Sequence, residues 1–384
     1  MEAQVADARR RIRKLVKKVS CMNPRCGEYN SPYASACAGC RSSLTGGIIF
    51  SASQSGTAQR EYLEKVKDRI SGSSKQCHMH DVARIMEDFA RDFDPNINWD
   101  KVLDRPEEEL RFRRAQAFGE IKQKIKNHPE DIHIIACHLT FRWRAYLTRG
   151  FDPHLMSGIH QNLRLFATII DGINDVHERL AATDWGDRKR LELALGRDEE
   201  IFVTGLLADI YRRPHYIVAR QEPPENLSEL VLNPWRPKAY LSFPITALKN
   251  DAEATAKIQK VRDTIRQWLV VFDPYAIKDY DLTYQVPEME NITKELGEQT
   301  EQRDFRFIDQ SEILIAFFPK DVSSIGVEAE LRHAKTTGKI IYLCYPGKHK
   351  GPFSVPPDYF ASSEKELIEL IRSHFDGLDK EVDK

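Results

Sequence analysis

The chain has 384 residues and a mass of 44.3 kDa, which at roughly 100–200 residues per domain is enough for two or three domains. Hydrophobic residues at 41% and charged residues at 30% support packed cores and exclude a wholly disordered chain. Lysine plus arginine, 57, balances aspartate plus glutamate, 58, so the net field selects no partner and any affinity for a polyanion must come from a local patch. No apolar run approaches the ~20 residues needed to cross a bilayer, so no membrane partner is expected. The N-terminus lacks the apolar stretch of a secretory signal, and four of the seven cysteines cluster within twenty positions. A reducing, cytoplasmic setting is expected rather than a disulfide scaffold.

Residues 1–20 are charge-dense: Arg9, Arg10, Arg11, Arg13, Lys14, Lys17 and Lys18 surround Ile12, Leu15 and Val16. This spells a short basic helix, either a solvated helix end or a contact for nucleic-acid phosphates. In residues 21–45, Cys21 and Cys26 form C-x4-C, Cys37 and Cys40 form C-x2-C, and ten residues separate the pairs. Two such knuckles bring four thiolates to the corners of a tetrahedron, so a structural zinc is expected. Gly27 and Gly39 suit the tight turns this needs. The spacing C-x4-C-x3-N-x6-C-x2-C, with Asn30 inside, resembles small zinc ribbons and the RanBP2-type zinc finger. The resemblance implies a metal and leaves open whether the module grips nucleic acid, protein or its own chain. The segment Cys77-His78-Met79-His80 carries ligand types without a partner pair nearby in sequence, and reads as a polar loop.

Residues 46–232 open with an apolar strand, Ile48-Ile49-Phe50-Ser51, followed by the small-residue loop 52–58 and a helix from Gln59 with Tyr62, Leu63 and Val66 on one face. Strand, loop and helix in this order can aim backbone N–H groups at phosphates, which nominates Ser53, Ser55, Gly56 and Thr57 as weak nucleotide-binding candidates. Further strands are read at Ile132–Ala136, Thr168–Asp171 and in the stretch from Arg212 to Val218. The layout resembles an archaeal-type adenylate kinase or related P-loop kinase over roughly 180 residues. Gly56-Thr57-Ala58 stands where a working kinase has Gly-Lys-Ser/Thr, so neither the phosphate-bridging lysine nor the magnesium-binding hydroxyl is present. A degenerate, non-catalytic scaffold or nucleotide sensor is the expectation.

Prolines 223, 224, 234 and 237 sit among polar residues over 219–237 and read as a domain boundary. Residues 233–384 then alternate strand and helix: Ala239–Ser242, a helix bearing Ile258, Val261, Ile265 and Leu269, Val270–Phe272, a helical stretch from Phe305 to Gln310, Ile313–Phe318, a helix from Ser323 to Ala334, and Ile340–Tyr345. The expected fold class is therefore α/β, two Rossmann-like parallel-sheet domains behind a small zinc module. Sites in such sheets lie at the carboxyl ends of the strands. There, a carboxylate at Glu330 beside a sugar's anomeric carbon can act as nucleophile, with Asp304 as second carboxylate.

The stretch Ser324-x-Gly326-Val327-x-x-Glu330, with Leu331 and Ala334, resembles the nucleoside 2-deoxyribosyltransferase superfamily, and most closely its 2′-deoxynucleoside 5′-phosphate N-hydrolase branch. Asp304 and Glu312 match that family's D-x7-D/E pattern, and Tyr240-Leu241-Ser242-Phe243-Pro244 matches its opening strand and turn, over about 140 residues in all. The resemblance implies an N-glycosidase in which Glu330 attacks C1′, Asp304 orients the sugar or assists departure of the base, and Ser324 with Gly326 binds a 5′-phosphate. Tyr240, Ser242 and Phe243 would line the substrate, and a homo-oligomer would close the site. Phe243 stands where the family usually has glycine, its aromatic face suited to stacking on a base, and Thr246 stands where the phosphohydrolase branch has a basic residue. NAD, whose nicotinamide also hangs on an N-glycosidic bond, is an alternative substrate. A glycosidase joined to a sensor-like domain and a zinc module has the layout of a regulated effector in phage defence.

Overall fold

The computed structural model describes residues 6–11, 19–20, 29–30, 39, 47–73, 75–143, 146–183, 185–277, 279, 293–347 and 354–377. The four cysteines of the expected zinc module, Cys21, Cys26, Cys37 and Cys40, lie outside the described residues, as do Arg13, Lys14, Lys17 and Lys18.

Helix α1 spans residues 6–11, and two short strands, β1 (Val19–Ser20) and β2 (Tyr29–Asn30), pair antiparallel near the N-terminus. The rest is built on two five-stranded, all-parallel sheets. The first contains β3 (Gly47–Ala52), β4 (Cys77–Asp81), β5 (Ile132–Cys137), β8 (Leu163–Ile170) and β9 (His215–Ala219), in the order β4-β5-β3-β8-β9. Between them, β6 (Thr140–Trp143) and β7 (Tyr146–Arg149) form a separate hairpin. Every residue of β3 and β5 is buried, as a strand covered on both faces requires, and this is why both read as largely apolar runs. The connections are helices α2 (Gln59–Ser71), α3 (Val82–Phe93), α4 (Glu107–Asn127), α5 (Ile173–Leu180) and α6 (Arg190–Tyr211).

The second sheet contains β10 (Lys238–Ser242), β11 (Val270–Phe272), β12 (Ile313–Phe317), β13 (Ile340–Cys344) and β14 (Tyr359–Ala361), in the order β11-β10-β12-β13-β14. Helices α9 (Ala252–Ile265), α10 (Thr293–Asp309), α11 (Ile325–Thr336) and α12 (Glu364–Phe375) cover it, with shorter helices α7 (Pro224–Leu232) and α8 (Ile245–Leu248) at its margins. One apolar cluster runs through both sheets, joining Ile217 and Leu227 to Tyr240, Phe272 and Phe307. Separate clusters fill the opposite faces.

The proline-rich stretch between the two sheets carries a helix: Pro224 occupies the first turn of α7, where a missing N–H costs nothing, and the helix buries Asn226, Leu227, Leu230 and Val231. Asn226 donates to Glu222 at 3.0 Å and to the Val271 carbonyl at 2.7 Å, tying the helix to β11. The Cys77–His80 stretch is an edge strand, β4, rather than a polar loop. The described part of the basic helix, 6–11, lies against the second sheet's domain. Ala8 is fully buried, Arg9 donates to the carbonyls of His374 and Asp376, and Arg11 pairs with Asp358 at 2.9 Å. Those two arginines are engaged within the chain rather than offered to a polyanion. Among the described residues no helix is long and apolar enough to cross a membrane.

Candidate active site

In an open parallel sheet the crevice forms where strand order reverses, beyond the carboxyl ends of the strands. In the second sheet that point lies between β10 and β12. Tyr240 and Ser242, two apart on β10, share one face. The chain leaves β12 and enters α11, where Ser324 caps the first turn by accepting from the Val327 N–H at 3.3 Å. From α11, Glu330 reaches back to β10. The Tyr240 hydroxyl donates to Glu330 Oε1 at 2.8 Å, and the Ser242 hydroxyl donates to Oε2. The carboxylate is thus held by two hydroxyls, not by a basic side chain, and it does not point to bulk solvent.

Burial pushes the Glu330 carboxyl up to about 8, the negative charge of Asp304 adds to this, and the two hydroxyls oppose it. Asp304, on α10, is also raised by burial, against the pull of Arg303. Two neighbouring carboxyls in a low-dielectric setting favour holding one proton between them. Tyr240 is fully buried, its ring about parallel to Phe307 with centroids 6.3 Å apart, so its hydroxyl is fixed in place. Because a hydrogen bond to a charged group contributes about 1.5–3 kcal/mol, Tyr240→Phe should move the ionisation of Glu330 further up by about 1–2 pH units. The pH dependence of kcat/KM on any substrate, or carboxyl titration by NMR, reads this shift; an unmoved profile would remove Tyr240 from the site.

A buried chain of ion pairs leads away from Asp304. Arg303 Nε and Nη2 donate to Asp304 Oδ1 at 3.1 and 3.0 Å, while its Nη1 meets Asp279 Oδ2 at 3.0 Å. Arg197, from α6 of the first sheet's layer, reaches the same Asp279 oxygen at 2.6 Å and the Asp171 carbonyl at 3.2 Å. Asp279 Oδ1 accepts from the Ile173 N–H at 3.0 Å. Burial alone would raise Asp279, but the flanking charges of Arg197 and Arg303 hold it below the usual carboxylate range. Asp171 in turn pairs with Arg179 at 2.6 Å, and Arg179 Nε donates to the Gly56 carbonyl at 2.6 Å. The two sheets' loops are therefore electrostatically continuous.

Phe243 is placed elsewhere. It is 5% exposed, on the opposite face from Tyr240, near Tyr275 with ring centroids 6.1 Å apart. Strand alternation sends Ser242 and Phe243 to opposite sides, so the expected base-stacking role does not fit its position. Ser324 lines an open cleft of about 460 Å³ with Glu328, Arg332 and Tyr345; Glu330 is not among its walls. At Gly326 an added Cβ would meet only the Ser324 hydroxyl, at 4.0 Å, so nothing in the local packing demands glycine. Glu312 is a structural pin, accepting from the Lys238 N–H at 2.7 Å.

The loop after β3 is closed by its own protein. Gly56, at φ +83°, lies so near Leu180 that an added Cβ would stand 2.7 Å from its Cγ. Ser53 and Thr57 are fully buried, and their hydroxyls find no hydrogen-bond partner among the described residues. The same holds for both amide atoms of Gln54, which lines a cavity with Ser55, Phe141, Trp185 and Arg188. A second cavity of about 180 Å³ adjoins it through Ser55, Phe141 and Trp185.

No protein-family model matches the sequence, and no curated protein matches it significantly. Function must therefore be read from the site itself. Sequence reasoning missed Asp279 and Arg197, which stand in segments with no motif around them. Arg303 was visible only as a neighbour of Asp304.

Proposed function

We propose that the protein is an N-glycosidase acting on a nucleoside 5′-phosphate or related nucleotide, with Glu330 as nucleophile. The observation that carries this reading is the Glu330 carboxylate oriented by Tyr240 and Ser242 beside Asp304, at the switch point of a parallel sheet. In the first step an ionised Glu330 oxygen bonds to C1′ as the C1′–N bond breaks, and the departing base takes a proton. Solvent water supplies that proton, because Glu330 has already given up its own and Arg303 holds Asp304 as its ion-pair partner. In the second step water adds its hydroxyl to C1′, releasing the sugar phosphate and the Glu330 carboxylate, and its remaining proton returns to solvent. Two positioned hydroxyls fix the attacking oxygen without neutralising it as an arginine would.

Incubation with a panel of nucleoside monophosphates, nucleosides and NAD, followed by mass spectrometry for free base, tests the class and the substrate together. A released nicotinamide would assign NAD as substrate. Absence of any free base across the panel would reject the glycosidase reading.

A second reading, nucleotide sensing by the first sheet, is favoured by the orphaned amide of Gln54 beside Trp185 and Phe141. Both a donor and an acceptor stand unused next to flat aromatic surface, the combination that reads the edge of a nucleobase. Calorimetric titration with ATP, AMP and deoxynucleotides should show binding that Gln54→Leu weakens about 10-fold or more, as expected for a lost buried hydrogen bond. Heat identical in variant and wild type would dismiss Gln54 as the reader.

A further inference from the structure

Four of the chain's 12 histidines gather at the amino ends of β4 and β5, at the far end of the first sheet from the loop that follows β3. His78 comes from the edge strand β4, and His128 and Asp131 from the turn between α4 and β5. His78 Nε2 lies 2.8 Å from Asp131 Oδ2, and His128 Nδ1 lies 3.6 Å from the same oxygen. One potential ligand atom from each of the three residues falls within 4.8 Å of the others.

We propose that His78, His128 and Asp131 form a binding site for a transition-metal dication of the zinc, cobalt or nickel type. Metal–nitrogen and metal–oxygen bonds of ~2.0–2.1 Å at tetrahedral angles put ligand atoms ~3.3 Å apart. The distances of 2.8 and 3.6 Å straddle that value, and the remaining pair of ligand atoms lies within 4.8 Å. Two imidazoles with one carboxylate select such ions over magnesium or calcium, which take all-oxygen shells.

The surroundings hold the ligands in place. His133 Nε2 lies 2.8 Å from the His128 carbonyl, which can only accept, so the proton sits on Nε2. His133 Nδ1 is then the acceptor for His80 Nε2 at 3.0 Å. The His133 ring stacks on His78 with centroids 5.1 Å apart and planes 21° off parallel. A fixed ring thus braces one ligand by stacking and another through its backbone, the outer-shell support that metal sites use. All three ligands retain some solvent exposure, which gives an ion a path in and leaves its remaining position open. A bound ion would fasten the edge strand to the turn beside it.

The test uses the full chain, stripped with a chelator and dialysed against zinc, with bound metal counted by elemental analysis. Wild type, His78→Ala/His128→Ala, Asp131→Asn and Cys37→Ser/Cys40→Ser are compared, since the cysteines are a separate potential zinc source. The histidine variant should lose one equivalent that the cysteine variant keeps. Asp131→Asn, nearly isosteric and safe for folding, should weaken zinc by more than the ~10–100-fold that outer-shell changes cost. In cobalt-loaded protein, the equivalent lost with the histidines should lack a thiolate charge-transfer band. Equal metal counts in wild type and the histidine variant, unchanged affinity in Asp131→Asn, or a thiolate band on the lost equivalent would each overturn the proposal.

Discussion

Glu330→Gln is expected to abolish base release while making the protein more stable, and the gain in stability should grow with pH. The sign follows from the raised carboxyl. A folded value of about 8 against about 4.5 in the unfolded chain means that folding favours the protonated form. That contribution is fully present below the unfolded value and is lost as pH rises through the folded one. Above pH 8 the wild-type protein must hold a charged carboxylate in a buried place, at a cost on the order of a few kcal/mol. Glutamine carries no charge at any pH, so thermal melting at pH 5 should show a small difference between the proteins and melting at pH 9 a large one. With Glu330 as the proposed nucleophile, kcat/KM should climb roughly tenfold per pH unit up to about 8, since only an ionised carboxylate can attack. Turnover retained by Glu330→Gln would dismiss the nucleophile. A stability difference that is flat from pH 5 to pH 9 would dismiss the buried, raised carboxyl.

Asp279→Ala should be among the most destabilising single substitutions in the chain. Its side chain is 2% exposed and those of Arg197 and Arg303 are 5% exposed each, so removing the carboxylate leaves two buried guanidinium groups facing one another, Arg303 with Asp304 and Arg197 with the Asp171 carbonyl. Breaking a buried pair from one side costs about 3–5 kcal/mol, and here two pairs share the residue removed. Because Asp279 is held below the usual carboxylate range, its contribution is intact above an unfolded value of about 3.9 and fades only as pH falls through the lower folded value. Urea unfolding at pH 7 reads the loss. Asp279→Asn retains an acceptor for the Ile173 N–H and should recover part of it. A urea midpoint equal to wild type in Asp279→Ala would show that the ion-pair chain contributes nothing.

Much of the fold was legible because parallel strands buried on both faces leave apolar runs, as in Ile48–Phe50, Ile134–Ala136 and Ile313–Phe317. Their alternation with amphipathic helices sufficed to anticipate two parallel sheets. β4 escaped because an edge strand of the composition Cys-His-Met-His-Asp carries neither signal. Pairing with β5, fifty-odd residues away, makes it a strand, and no local pattern reports such a partner. The prolines of 223–237 stand between the last strand of the first sheet and the first strand of the second, and the helix among them was not legible because the residue type that breaks a helix interior is favoured at a helix start.

Within the site, Glu330 was legible through its spacing from Ser324, and its orientation toward β10 rather than toward Arg332 is supplied by Tyr240 and Ser242, ninety positions upstream. Phe243 was misplaced because a list of residues in a strand does not say which face each one takes until the register is known. Asp279 was invisible because its role comes from two arginines that meet only after both sheets have formed.

The side chain of Gln310 accepts from the Ile217 N–H at 2.8 Å and donates to the Ile217 carbonyl at 2.9 Å, so a single amide imitates a neighbouring strand along the otherwise open margin of β9. Exposed sheet margins invite unwanted annealing with other chains, and this one is sealed by a residue belonging to the other half of the protein. Severing the polypeptide between its halves would therefore uncover a sticky seam on one fragment and orphan an amide on the other.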